Sequence, residues 1–156
     1  MAVTVDLQIA FDDEVPDVEQ IQHWAEAALA EVTEDCELSV RLVGDQESAD
    51  LNSNYRGKMG PTNVLSFPFD SPVPIEPRLL GDLIICVPIV ETEAKQQEKA
   101  VSDHWAHMVV HGCLHLLGYD HIETQEAEQM EALEVTILQS LKIDDPYGIS
   151  EQGEGK

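Results

Sequence analysis

His111-Gly112-Cys113-Leu114-His115-Leu116-Leu117-Gly118-Tyr119-Asp120-His121 carries three of the chain's six histidines, at spacings i, i+4 and i+10. On an α-helix His111 and His115 lie one turn apart and project from the same face. Gly118 is placed to end that helix through a left-handed residue, and the turn can swing His121 back toward the first two rings. Three neutral imidazoles around one point leave a fourth position open, which is the composition of a catalytic zinc site rather than a closed structural one. Cys113, two residues after His111, lies about 200° around the helix and reads as a core thiol.

The spacing His-x-x-x-His-x-x-Gly-x-x-His is the frame of the metzincin peptidases with one difference. There the residue after the first histidine is a glutamate that acts as general base; here it is Gly112. The ligand spacing is kept and the proton acceptor is absent, so a peptidase reading loses its main catalytic residue.

The other histidines carry less. His104 is seven residues before His111, about 10 Å along the axis, too far for direct ligation. His107 is one turn away and is a candidate for a second-shell, substrate-facing or proton-transfer role. Packing or surface roles are the simpler reading for both, and His23 lies off its helix's apolar stripe, at the surface. Asp120 either caps the following helix, with Glu123 completing a capping box, or supports an imidazole. Arg56 and Lys58 share one glycine-rich loop, where an arginine can grip a phosphate through two parallel hydrogen bonds.

Outside this stretch, the 156 residues suffice for one domain with a real core. No basic segment followed by an apolar run opens the chain, so no signal peptide is expected. The longest apolar run, Leu83 to Val90, is far short of a membrane span. Three cysteines without paired spacing fit reduced thiols in the cytoplasm. The net charge of -23, from 31 acidic and 8 basic residues, argues against broad nucleic-acid binding, which draws on clustered Lys and Arg.

Period-two alternation predicts strands over residues 3–10 and 36–43, and over 62–69, where Pro68 marks an edge. Residues 81–90 read as a continuous apolar strand buried on both faces. Helices are expected over 17–32, over 45–55 with Asp45 as N-cap, over about 91–99, from a Ser102 or Asp103 cap to Leu117, and over about 122–141. On the last helix Glu123, Glu126, Glu128, Glu131 and Glu134 read as a solvated face. The fold class is α+β: a single domain with about four strands in a mixed sheet packed with helices, the metal-binding helix placed as in zincins. The domain is expected over residues 1–147, with 148–156 a flexible tail.

With Tyr55-Arg56-Gly57-Lys58, Pro61-Thr62-Asn63-Val64-Leu65-Ser66-Phe67-Pro68-Phe69, Leu80-Gly81-Asp82-Leu83-Ile84-Ile85-Cys86 and His104-Trp105-Ala106-His107-Met108-Val109-Val110-His111-Gly112 through His121, the sequence resembles the YbeY family of rRNA-maturation endoribonucleases. Glu131-Ala132-Leu133-Glu134 and Asp145-Pro146-Tyr147 fit as well; Met59-Gly60 departs from the charged residue the family often has there. The resemblance covers roughly residues 49–147. It implies a single-strand-specific zinc-dependent endoribonuclease acting in maturation of the 3′ end of small-subunit (16S) rRNA, ribosome assembly and ribosome quality control. It further implies one Zn2+ held by His111, His115 and His121, and Arg56, with Lys58 beside it, at the RNA-binding face. Single-stranded rRNA precursor and the ribosomal small subunit or a ribosomal protein are the expected partners, with no membrane and no DNA. A non-catalytic zinc-containing assembly factor and a zinc peptidase are the alternatives.

Overall fold

Alternating apolar residues build the sheet, and the helices cover the face on which those residues are buried. The computed structural model describes residues 3–11, 15–32, 35–69, 78–119 and 124–143. In chain order these form β1 (Val3–Ile9), α1 (Val18–Ala28), β2 (Cys36–Val43), α2 (Asp45–Arg56), β3 (Val64–Pro68), β4 (Arg78–Cys86), α3 (Val87–Gln96), α4 (Val101–Leu116) and α5 (Thr124–Ser140). The strand order is β1-β2-β4-β3. β1, β2 and β4 run parallel, while β3 lies antiparallel on β4 as an edge. The expected four-stranded mixed sheet in an α+β domain is what forms.

On the inner face of the sheet, Val3, Val5, Leu38, Val40, Leu42, Leu83 and Ile85 are buried beneath the helices. The intervening residues Thr4, Asp6 and Asp82 remain exposed on the other face. The central packing piece is α4, in contact with α1, α3, α5, β3 and β4. Its Trp105, Met108, Val109, Cys113 and Leu116 are all buried. Burial pushes the Cys113 thiol up to about 12, so it is an inert core group as expected.

Several boundaries differ from the sequence reading, each for a local reason. The apolar run 81–90 is two elements: β4 starts earlier, at Arg78, and ends at Cys86, because Pro88 sits in the first turn of α3, where its missing N–H costs nothing. Nor is β4 buried on both faces, since Asp82 is exposed. α2 is capped by the Gly44 backbone rather than by Asp45, whose carboxylate instead accepts the Cys86 Sγ–H at 3.4 Å. α4 begins at Val101, and neither Ser102 nor Asp103 caps it. α1 stops at Ala28, four residues short of the expected end, while its Asp17–Gln20 capping box is present. Residues 148–156, the expected tail, lie outside the described residues.

Gly81 fixes how β3 meets β4. Its φ is +138°, and a Cβ there would stand 2.2 Å from the Phe67 carbonyl oxygen and 2.9 Å from Pro68 Cα. Both obstacles are backbone, so the strands can approach this closely only at a glycine. Gly81→Ala should lower stability by about 1–3 kcal/mol, read as a lower denaturant midpoint. A wild-type midpoint would show that β3 shifts without cost.

Candidate metal centre and its cavity

The histidine helix closes as its glycine suggested. α4 ends in a Schellman motif: Tyr119 N–H donates to Leu114 O at 3.1 Å and Gly118 N–H to His115 O at 3.0 Å. Gly118 takes φ +105°, a conformation that releases the chain sharply after Leu117. His121 and Asp120 lie outside the described residues, so the third predicted ligand and the capping residue are not placed.

His111 and His115 are placed, and they converge. Their Nε2 atoms are 3.1 Å apart and their rings meet edge to face, with centroids 4.6 Å apart. Two neighbouring ligands on a tetrahedral zinc with bonds of about 2.0–2.1 Å stand about 3.3 Å apart, so this pair fits a shared ion. Both rings open onto a cavity of about 340 Å³ whose other walls are Arg56, Thr62, Asn63, Val64 and Ser66. The structure therefore brings Arg56 to the cavity of His111 and His115, 55 and 59 residues away in the sequence. Lys58 is exposed and does not line the cavity.

The other nitrogen of His111 faces the interior and meets a residue that the sequence reading placed in solvent. Glu134 is 0% exposed, and its carboxylate is hydrogen-bonded to His111 Nδ1, with His107 Nε2 3.5 Å from its other oxygen. The correction has a simple cause. Met130, Glu134 and Leu138, all buried, form an i, i+4, i+8 stripe on which α5 docks against α4. A carboxylate on an inward stripe needs partners, and two histidines of one face provide them. His107, Glu134 and His111 bring ligand atoms within 4.8 Å of one another, so this group could itself hold a metal ion. Burial holds the His107 imidazole below its ordinary pKa despite the pull of Glu134. Within the described residues His107 borders Glu134 and not the cavity, which places it behind the site.

A second, partly buried pair ties the cavity wall to the same helix. His104 Nε2 lies 2.8 Å from Glu93 Oε1, and Asn63 Nδ2 donates to both Glu93 oxygens at 3.2 and 3.3 Å. Burial pushes the Glu93 carboxyl up, but the His104 and Asn63 hydrogen bonds outweigh it and hold the pKa below the ordinary value. His104 is thus buried scaffolding, as its distance along the helix implied. The loop between α2 and β3 is pinned from the other side. Ser48 Oγ donates to Thr62 O at 3.0 Å and accepts from Thr62 N–H, while Asn52 Nδ2 donates to Gly60 O at 2.8 Å. Arg56 is the last residue of α2, closed by left-handed Gly57, so its backbone is anchored by a helix rather than by the loop expected.

Gly112 also acquires a steric reason. A Cβ there would stand 2.7 Å from Leu83 Cδ2 in the buried core. The helix lies too close on β4 for a side chain, and a glutamate at this position would be driven into Leu83 rather than held over the histidines.

The model of a family described as Endoribonuclease YbeY matches residues 8–142 of this chain. The solution structure of TM1509 from Thermotoga maritima is similar, with a TM-score of 0.62 and 25% sequence identity over 96% of this chain and 93% of that one.

A carboxylate behind a ligating imidazole fixes its tautomer and strengthens it as a donor, an effect worth about 10–100-fold in metal affinity. Glu134→Ala should weaken divalent-metal binding by about that factor in a chelator competition, with Glu134→Gln intermediate because its amide oxygen still accepts from Nδ1–H. Wild-type affinity in both variants would show that His111 needs no such partner.

Proposed function

We propose, from the premise that this chain belongs to the YbeY endoribonuclease family, that it is a single-strand-specific, zinc-dependent endoribonuclease. Its proposed task is maturation of the 3′ end of small-subunit rRNA, within ribosome assembly and quality control. Membership makes RNA the substrate class and rRNA processing the setting; the metal, the cleavage site and the ribosomal partner are our reading. One observation supports it above the rest: Arg56, His111 and His115 line a single cavity. No helix of the described residues is long and apolar enough to cross a membrane, and we place the enzyme in the cytoplasm.

Two metal positions share His111, and the open one suits catalysis. The His107–His111–Glu134 group is interior, and there His111 Nδ1 is already engaged by Glu134. The Nε2 atoms of His111 and His115 face the cavity, and a catalytic ion needs a coordination position that substrate can reach. We assign the ion to His111 and His115, with His121 as third ligand. Bound there, zinc would supply Lewis-acid polarisation of a phosphoryl oxygen and lower the pKa of water to about 7.

The chain's own residues would do the rest. Arg56 can place its fixed fork of donors on the non-bridging phosphoryl oxygens and stabilise the charge that grows on them. Glu134 holds His111 by Nδ1 so that its Nε2 faces the cavity beside His115. Asn63, locked by Glu93, and Ser66 form the wall opposite the histidines. Proton transfer is assigned to Asp120, next to His121 in the sequence, or to His107, which lies against Glu134 behind His111.

Metal content and cleavage of a single-stranded rRNA fragment, measured on wild type, His115→Ala, His107→Ala and Arg56→Glu, test this reading. His115→Ala should lose both metal and cleavage, and His107→Ala should keep the metal. Arg56→Glu should keep metal and fold but lose cleavage by about 100-fold or more. Metal lost in His107→Ala and retained in His115→Ala would move the ion to the interior group. Full zinc with no RNA cleavage in the wild type would favour a non-catalytic assembly factor. A 2′-deoxy nucleotide at the scissile position separates routes, since surviving cleavage eliminates attack by the RNA's own hydroxyl.

A further inference from the structure

We propose that Ser66 meets a ribose 2′-hydroxyl of the substrate and thereby selects RNA over DNA. The inference rests on the endoribonuclease reading and adds to it the residue that tells the two nucleic acids apart.

The strand pattern puts Ser66 at the histidines. β3 is an edge of the sheet, and its side chains alternate between the two faces. Val64 and Ser66 line the histidine cavity, whereas Phe67 lines a separate cavity with Thr4, Asp6 and Asp82 on the other face. In register Ser66 stands beside Leu83 of β4, and Gly112, next to His111, is packed against that same Leu83. The backbone of Ser66 is placed as usefully as its side chain. Asn63 O accepts from Cys86 N–H and Phe69 N–H donates to Leu80 O, both at 2.9 Å, so the odd residues of this segment turn their backbone groups to β4. Those groups alternate in an antiparallel ladder, which leaves the N–H and C=O of Ser66 on the outer edge.

Chemistry then singles out its hydroxyl. In the proposed site the metal and Arg56 meet phosphate, which RNA and DNA share, so neither distinguishes the two. The 2′-hydroxyl does; it both donates and accepts, and its best partner does the same. Arg56 donates without accepting. The Asn63 amide is committed, with Nδ2 on Glu93 at 3.2 and 3.3 Å and Oδ1 on the Val64 N–H at 2.7 Å. Thr62 carries the other hydroxyl of the wall, but Ser48 Oγ takes both its backbone N–H and its C=O, so it has no backbone acceptor to add. Ser66 is half-buried, and its hydroxyl has no hydrogen-bond partner among the described residues. Its Oγ and the edge C=O of the same residue together offer a 2′-hydroxyl one donor and two acceptors.

The test is a competition at initial rate. Cleavage of a labelled single-stranded rRNA fragment by the zinc-loaded full chain is inhibited with unlabelled strands of the same sequence, made of RNA or of DNA. On wild type the RNA strand should inhibit more tightly than the DNA strand. Ser66→Ala should weaken inhibition by RNA about 5–50-fold and leave inhibition by DNA within about twofold of wild type, with zinc content unchanged. Ser66→Thr, which keeps the hydroxyl, should restore the preference for RNA. Equal weakening of both strands by Ser66→Ala would place its contact on the shared backbone and overturn the assignment. A wild-type preference in Ser66→Ala, or its loss in Thr62→Val instead, would overturn it too, with the ribonuclease reading left standing. If wild type cleaves no single-stranded RNA, it is the ribonuclease reading that fails.

Discussion

Glu134 is a carboxylate with no exposed surface, lodged between two histidines of a neighbouring helix. Taking such a group out of water costs several kcal/mol unless hydrogen bonds replace its hydration. Those bonds come from His107 and His111, so the seating of α5 on α4 and the orientation of the His111 ring are one event. With Nδ1 engaged from behind, Nε2 is left to face the cavity beside Nε2 of His115. The short distance between those two nitrogens follows from the helical spacing, but which nitrogens meet follows from Glu134.

A second constraint acts through the sheet edge. β3 contributes Val64 and Ser66 to the cavity that the histidines line, and it lies where it does because Gly81 admits its backbone at close range. Its entry is fixed by Asn63, which Glu93 ties to His104 on the histidine helix. The loop before it hangs on Ser48 and Asn52 of α2. Arg56, at the end of that helix, is therefore held by elements that also define the cavity. Hydrogen bonds between partly buried polar groups specify one arrangement more sharply than apolar packing does, and here they join helices and a strand around the cavity.

Much of this was legible in the residues. The alternation of Val3, Val5, Leu38, Val40 and Leu42 gave two strands, and Pro68 marked the edge, because strand periodicity and a missing N–H are local properties. The Gly118 stop of α4 was likewise visible and formed as a Schellman motif. The apolar run 81–90 misled because a buried strand and the first turn of a buried helix share the same composition; Pro88 was the available signal. Glu134 misled for the opposite reason. A lone glutamate among others on a helix reads as solvated, and only its place in the stripe Met130, Glu134, Leu138 hinted at burial.

The chain by itself determined the helix that carries His111 and His115, the face they share, the glycine that ends it and the strands beneath it. Each of these depends on neighbours within a few residues. Tertiary structure decided that Arg56 lines the same cavity as the histidines, that Glu134 turns His111 outward and that Gly112 lies against Leu83. Those pairings join residues from 23 to 59 positions apart, and no local periodicity records them. They are fixed by the burial of α4 at the centre of the fold, where a buried carboxylate needs partners and every side chain must fit.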